Sequence, residues 1–314
     1  MIEKTIEEFV DAIRNKRSND YYSRFFKMPL IEDLEKTNLK NKYFPLVEKE
    51  CAKIGDTKIS DREECNRYYT LYMTISKLCY AFFEILPHLS KDAEGILQDF
   101  KNNKFHLLES SKAKLVNNHL KPIYLRLEDV CKTQQSTPVG VNRKDYAVGG
   151  RLPNQIPLEF LKKHELKGVD DAFNESEIGN IIRHYYGSNF GAIQIRTWRY
   201  FSGEPINTHR DGLPPHCFKL MIFNGDITTK HGCFEGLKPP PKPVNIILQA
   251  IGKHPCVLVE PNVVLHRALS PQPNLHRDTI EITIAPRIGD AIFVDAGCLA
   301  GHPFNPFSNW SEKL

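Results

Sequence analysis

Two side chains that can ligate a metal stand two positions apart in the segment "PINTHRDGLP", residues 205–214: His209 and Asp211. In an extended segment, residues i and i+2 point to the same side, so both can reach one ion while Arg210 points away. The spacing alone proves little, because Asp211-Gly212 is also an ordinary turn dipeptide. The pair gains meaning only with a third ligand. A mononuclear iron site that must leave room for oxygen and a cosubstrate uses two histidines and one carboxylate on one face.

The downstream candidates are His216, His231, His254, His266, His276 and His302. His266 is favoured on two grounds. It ends the strand-like run "CVLVEPNVVLH", and Arg277 follows eleven residues later at the head of the run "RDTIEITIAP". A guanidinium can neutralise the far carboxylate of a dicarboxylate cosubstrate through paired hydrogen bonds, and it does not lose its charge. Thr279 shares that strand face and can add a hydroxyl. His276 adjoins Arg277, points to the opposite face, and is expected to stand outside the site. Three plainer readings compete: a turn capped by His209 and Asp211, a surface His266-Arg267 pair, and a solvated Arg277-Asp278 ion pair worth under about 1 kcal/mol.

Taken together, His209-x-Asp211, His266 and Arg277-x-Thr279 on a β-rich half resemble the Fe(II)/2-oxoglutarate-dependent oxygenases. The "THRDG" sequence and the offset of the arginine are most similar to the phytanoyl-CoA hydroxylase-like branch. The similarity spans residues 190–295 and leaves the first 130 residues outside it. It implies a double-stranded β-helix (jelly-roll, cupin-like) core in which His209, Asp211 and His266 hold Fe(II). It further implies that 2-oxoglutarate chelates the metal through its keto and C1 carboxylate oxygens, with its C5 carboxylate on Arg277 and Thr279. The implied reaction consumes O2, oxidises a C–H bond of a small or medium-sized metabolite, and releases succinate and CO2. Related halogenases replace the carboxylate ligand by a small residue. Asp211 is present, which favours hydroxylation or desaturation, in keeping with a biosynthetic role.

Such a site needs rigid strands around it, and the use of breakers shows where they lie. Residues 1–135 hold two of the 18 glycines and four of the 21 prolines, so that region is expected to be helical. Ile2, Ile6, Phe9, Val10 and Ile13 follow one helix face, as do Tyr68, Leu71, Tyr72, Ile75, Leu78, Cys79, Phe82 and Leu86 up to Pro87. The Tyr/Phe-rich stripe reads as core before it reads as a substrate wall. A third stripe, Leu115, Val116 and Leu120, is interrupted at Pro122 and followed by Tyr124, Leu125 and Leu127. Residues 132–157 have the composition of a linker, and "NESEIGNIIRHYYG" predicts a helix opened by an Asn174/Glu177 capping box and closed near Gly187.

From Ala192 onward, short runs ("AIQIRTWRYF", "CFKLMIFNGDI", "VNIILQAI", "CVLVEPNVVLH", "DTIEITIAPR", "AIFVDAG") alternate with Gly/Pro turns, as in an antiparallel sandwich or barrel. The expected fold class is therefore α+β, with a helical region over 1–135 and an oxygenase-type β domain over 136–314. On the first of these strands Gln194, Arg196 and Trp198 share one face and Ile193, Ile195 and Thr197 the other. The polar set lines either the pocket mouth, where Arg196 would meet an anionic substrate group, or an outer face under the helices. "DGLPPHCF" offers a lid with His216 near the metal.

Composition excludes several classes. Hydrophobic and charged fractions of 41% and 25% suit an ordinary globular protein. A net charge of +4 argues against a nucleic-acid partner. No segment approaches the roughly 18 apolar residues of a membrane span, and the acidic first turns do not read as a secretory signal. The eight scattered cysteines, with no CxxC pair, suit reduced thiols, so a cytoplasmic protein is expected. Phosphate-loop, nucleophile-elbow and HExxH signatures are absent. The alternatives are a β-barrel metal-binding protein, or a silent binding module, that makes no use of 2-oxoglutarate, and a helical interaction platform carried on the barrel.

Overall fold

The computed structural model describes residues 2–27, 30–55, 62–133, 155–157, 161–202, 207–211, 217–237, 247–286 and 288. The first half is helical: α1 (Ile2–Arg14), a 3-10 segment (Asn19–Lys27), α2 (Asp33–Gly55), α3 (Arg62–Phe83), α4 (Lys91–Asn103) and α5 (Ser110–Thr133), with β1 (Phe105–Leu107) between the last two. β2 (Gln155–Pro157), α6 (Lys163–Glu175) and α7 (Ile178–Tyr186) follow. The remainder is stranded: β3 (Phe190–Phe201), β4 (Phe218–Asn224), β5 (Asp226–Ile227), β6 (Phe234–Leu237), β7 (Ile247–Gln249), β8 (Gly252–Lys253), β9 (Cys256–Val259), β10 (His266–Ala268) and β11 (His276–Pro286). The fold thus combines helices with antiparallel sheet, as the distribution of glycine and proline predicts.

The chain divides into two compact units, and the division does not follow the change of composition near residue 135. One unit comprises the described residues up to 88 together with 180–191 and 285–288; the other comprises those of 89–179 and 192–284. The physical reason lies in α5. Its Tyr124 hydroxyl donates to the Ile222 carbonyl of β4 at 3.0 Å, so this helix, like α4, belongs with the sheet rather than with α1–α3.

In the first unit the stripe Ile6, Phe9, Val10 and Ile13 of α1 meets Tyr72, Ile75, Leu78, Cys79 and Phe82 of α3 in one apolar cluster. Phe9 makes edge contacts with Tyr22, Phe25 and Phe82. The aromatic stripe of α3 is core, and it ends before Leu86, which is exposed.

The second unit carries a six-stranded sheet in the order β1-β9-β4-β11-β3-β2 and a three-stranded sheet in the order β10-β6-β7. Phe105, Met221, Phe223, Val257 and Val259 of the large sheet bury against Phe234 and Ala268 of the small one. The Phe105 and Phe234 rings stack at 6.2 Å. A side chain on Gly236 would run into the Phe105 ring at 2.6 Å, so a glycine is required for the two sheets to close.

Four sequence expectations need correction. α5 runs as one helix through Pro122, where the sequence predicts an interruption. Asn174 lies inside α6, and no helix starts at it. The chain turns at Ser176 and Glu177, the latter with φ +61°, and α7 begins afterwards. The Glu177 carboxylate accepts from the Ser90 hydroxyl (2.8 Å) and Lys112 (2.9 Å), so a tertiary attraction displaces the local capping box. "CVLVEPNVVLH" is not one strand: β9 ends at Val259, the chain turns, and His266 opens β10. "FEGL" (β6) is a strand that the reading of turns overlooked. The run 291–297 and most of the 132–157 segment lie outside the described residues.

Candidate metal centre

His209 and Asp211 sit on a strap, residues 207–211, laid against the turn that leads into β10. The His209 amide donates to the His266 carbonyl at 3.0 Å and the His266 amide to the His209 carbonyl at 2.9 Å. The Asp211 amide donates to Pro261 O at 2.9 Å, and Arg210 Nε, directed outward as expected, to Val263 O at 3.1 Å. The turn itself closes on Glu260, whose carbonyl accepts the Val263 and Val264 amides. A bridge between His209 and His266 thereby adds the strap to the edge of the small sheet.

One ligand atom of each of His209, Asp211 and His266 lies within 4.8 Å of the other two. Asp211 Oδ1 is 3.2 Å from His209 Nε2 and 3.5 Å from His266 Nε2. His209 Nδ1 bonds the Asn207 carbonyl at 2.7 Å and His266 Nδ1 the Val264 carbonyl at 2.9 Å. A carbonyl only accepts, so in each ring Nδ1 carries the hydrogen. In the neutral ring, Nε2 then presents its lone pair. Two lone pairs and a carboxylate oxygen facing one point repel each other unless a cation sits among them. These residues therefore fit a divalent metal, and each histidine already has the outer hydrogen bond that ligating imidazoles use.

Asp211 is ionised for the same task. Burial by itself would raise its carboxyl group, but a hydrogen bond from His266, which only the imidazolium form with no metal on Nε2 can donate, and the Lys219 ammonium outweigh burial and hold it well below the usual carboxylate range. Lys219 of β4 lies 2.6 Å from Asp211 Oδ2 and 3.0 Å from Glu281 Oε1 of β11. Burial pushes the ammonium down, while Glu281 and Asp211 together push it further up. Arg196 Nη1 stands 3.9 Å from the same glutamate oxygen.

β11 brings the other candidates. Arg277 and Thr279 are 3% and 1% exposed, on the strand face that carries Glu281. Arg277 Nη1 donates to the Leu269 carbonyl at 3.1 Å, and its guanidinium stands 5.1 Å from the Tyr200 ring centre and 5.9 Å from that of Phe223. Gly232, at φ +70°, lets the Leu269 carbonyl approach, since a Cβ there would lie 2.2 Å from it. Among the described residues no carboxylate pairs with Arg277; its Nε and the Thr279 hydroxyl are buried without a hydrogen-bond partner. Burial without a counter-ion lowers the guanidinium to about 10. A buried cation lacking an anion is costly, and a ligand carboxylate would remove that cost.

The remaining sequence candidates fall out as follows. Asp278 pairs with Arg199 at 2.7 Å and 2.9 Å on the opposite face of β11, so the solvated Arg277-Asp278 pair does not form. His276 stands beside Phe201, away from Arg277. His231 and His254 make local bonds, to Thr228 and to the Gly225 amide. Arg196 lies on the face of β3 that meets Glu281, and Trp198 is half-buried. The side chain of Gln194, with His216 and His302, lies outside the described residues. Lys219 and Glu281 were missed. The signal was a lone charge inside each of the apolar runs "CFKLMIFN" and "TIEITIAP", since buried charges on a strand need partners.

No protein-family model matches this chain, and no curated protein does. Among solved structures it is similar to AviO1 from Streptomyces viridochromogenes Tue57, at 12% identity over 65% of this chain and 99% of that one, with a TM-score of 0.39. It is also similar to the non-haem α-ketoglutarate-dependent carbocyclase SnoK from nogalamycin biosynthesis (11% identity, 63% and 85% covered, TM-score 0.43). A third is a Pseudomonas putida prolyl-4-hydroxylase (10% identity, 62% and 99% covered, TM-score 0.42). Likenesses this distant do not by themselves assign an activity. Among the described residues, no helix is long and apolar enough to cross a membrane.

Proposed function

We propose that this protein is an Fe(II)- and 2-oxoglutarate-dependent oxygenase, similar to the phytanoyl-CoA hydroxylase-like branch. In this reading it hydroxylates or desaturates a small or medium-sized metabolite. The observation that carries the reading is the presence of two features in one inter-sheet core: three ligand atoms converging on one point, and a buried guanidinium with no carboxylate partner among the described residues. The Phe223 ring beside Arg277 and the Phe234 ring, 5.4 Å from His266, belong to that same core.

The strand order supports a double-stranded β-helix. Along the chain, β3, the strap, β4, β6, β7, β9, β10 and β11 fall in the large, small, large, small, small, large, small and large sheet. Two four-stranded faces built in this alternating way are the jelly-roll pattern.

His209, Asp211 and His266 would hold Fe(II). With O2 and 2-oxoglutarate, the bound metal supplies the oxidising chemistry, and the cosubstrate leaves as succinate and CO2. The chain's own work is positional. The Asn207 and Val264 carbonyls orient the two imidazoles. Arg277 and Thr279 bind the far carboxylate of the cosubstrate, giving its length a fixed stop, and the apolar core around them excludes water. The even-numbered face of β3, with Arg196 and Trp198, is where a metabolite would be met.

Anaerobic titration with Fe(II) and 2-oxoglutarate, followed by the visible charge-transfer band of the chelate, tests this. A band is expected in the wild type, lost in His209→Ala and requiring far more cosubstrate in Arg277→Ala. Metal uptake with no band and no gain from 2-oxoglutarate would move the protein to the metal-binding alternative.

A further inference from the structure

We propose that Lys219 is a positioning residue that makes Asp211 a one-oxygen ligand, and that Glu281 holds Lys219 in that role. The proposal rests on the metal centre proposed above and goes beyond it.

A carboxylate offers a metal either one oxygen or two. Taking both would consume a coordination position, yet a centre that must admit a chelating cosubstrate and oxygen needs its other positions open. In this protein the two oxygens of Asp211 are already divided. Oδ1 faces both histidine Nε2 atoms, at 3.2 Å and 3.5 Å, whereas Oδ2 is 2.6 Å from Lys219 Nζ. The ammonium thus claims the oxygen that would otherwise swing toward the ion.

Lys219 can do this only if it stays put when a cation binds. A buried ammonium whose single counter-ion is taken over by a metal would be repelled and would leave. The second carboxylate prevents that. Glu281 is buried and reaches Lys219 at 3.0 Å from the adjacent strand. Strand register makes the arrangement rigid: Lys219 lies opposite Thr283 on β11 and Val259 on β9, so its side chain projects from the middle of the sheet, next to Glu281 on the same face. Arg196 approaches the same glutamate oxygen from β3, which further fixes the carboxylate.

The test uses Co(II) alone, added to the metal-free full-length protein, with affinity from calorimetry and coordination from the visible spectrum. Lys219→Met frees Asp211 Oδ2 to join the ion and removes a neighbouring positive charge, so Co(II) should bind at least as tightly as in the wild type, and the Co(II) spectrum should shift through the added oxygen. Glu281→Gln should shift the spectrum less, and Lys219→Arg should keep the wild-type spectrum. Weaker Co(II) binding in Lys219→Met, or an unaltered spectrum, would overturn the proposal while leaving the metal centre intact. If the wild type binds no Co(II), the metal centre fails and this proposal fails with it. Should Lys219→Met not fold, Glu281→Gln read against Lys219→Arg decides by the same criteria.

Discussion

The two faces of β11 solve the same problem in opposite ways. On the outer face Asp278 is buried, and Arg199 closes it with two hydrogen bonds. One residue earlier, on the inner face, Arg277 is equally buried and has beside it, among the described residues, a backbone carbonyl, two aromatic rings and Cys233, and no carboxylate. Nothing in strand propensity forces this asymmetry. Asp278 is satisfied within the chain, as is Glu281 on the inner face through Lys219. On the function proposed above, Arg277 takes its counter-charge from a ligand.

The sharpest way to break this contrast is Arg277→Met. Cosubstrate binding should weaken by about 2–5 kcal/mol, as when one partner of a buried charge pair is removed. The ligand-free protein should at the same time become more stable, since an unpaired buried charge has gone. Thermal unfolding with and without 2-oxoglutarate reads both effects; a less stable ligand-free variant would count against the comparison. The mirror experiment is Asp278→Asn. It strands Arg199 and should cost about 3 kcal/mol in denaturant unfolding, while the surviving folded protein binds 2-oxoglutarate as before. Thr279→Val is smaller. Its hydroxyl has no hydrogen-bond partner among the described residues, so stability should hardly move, but cosubstrate affinity should fall about tenfold, from a lost hydrogen bond to a charged group.

The smallest effect concerns pH. The Asp211 carboxyl is held below its ordinary value, so its contribution to stability is complete above the unfolded-state value of about 3.9 and disappears as pH falls through the lower folded value. Acid unfolding below pH ~4 should therefore be less steep in Asp211→Asn than in the wild type. Above that range the slopes should coincide.

His209 with Asp211, and Arg277 with Thr279, could be singled out as candidates because each pair is local: a two-residue spacing on the strap, and a two-residue spacing along β11. The long strands β3, β4 and β11 were legible because β-branched and aromatic residues run between turn residues. What escaped depends on register. Lys219 and Glu281 are far apart along the chain, and only the pairing of β4 with β11 sets them on one face. The break at Glu177 escaped for a related reason: Lys112 and Ser90 compete for a carboxylate that would otherwise cap the local helix. β10 was fused to β9 because the turn between them is made of valines as well as a proline, and composition does not distinguish such a turn from a strand.

The strap that carries His209 and Asp211 has one more consequence. It is tied to the segment carrying His266 by backbone bonds that run in both directions, so all three ligands belong to a single hydrogen-bonded unit. Local opening that frees one of them frees the others. Loss of an ion from this centre would then be one cooperative event rather than a sequence of unfastenings, and the lifetime of the loaded state would be set by how often the strap lifts.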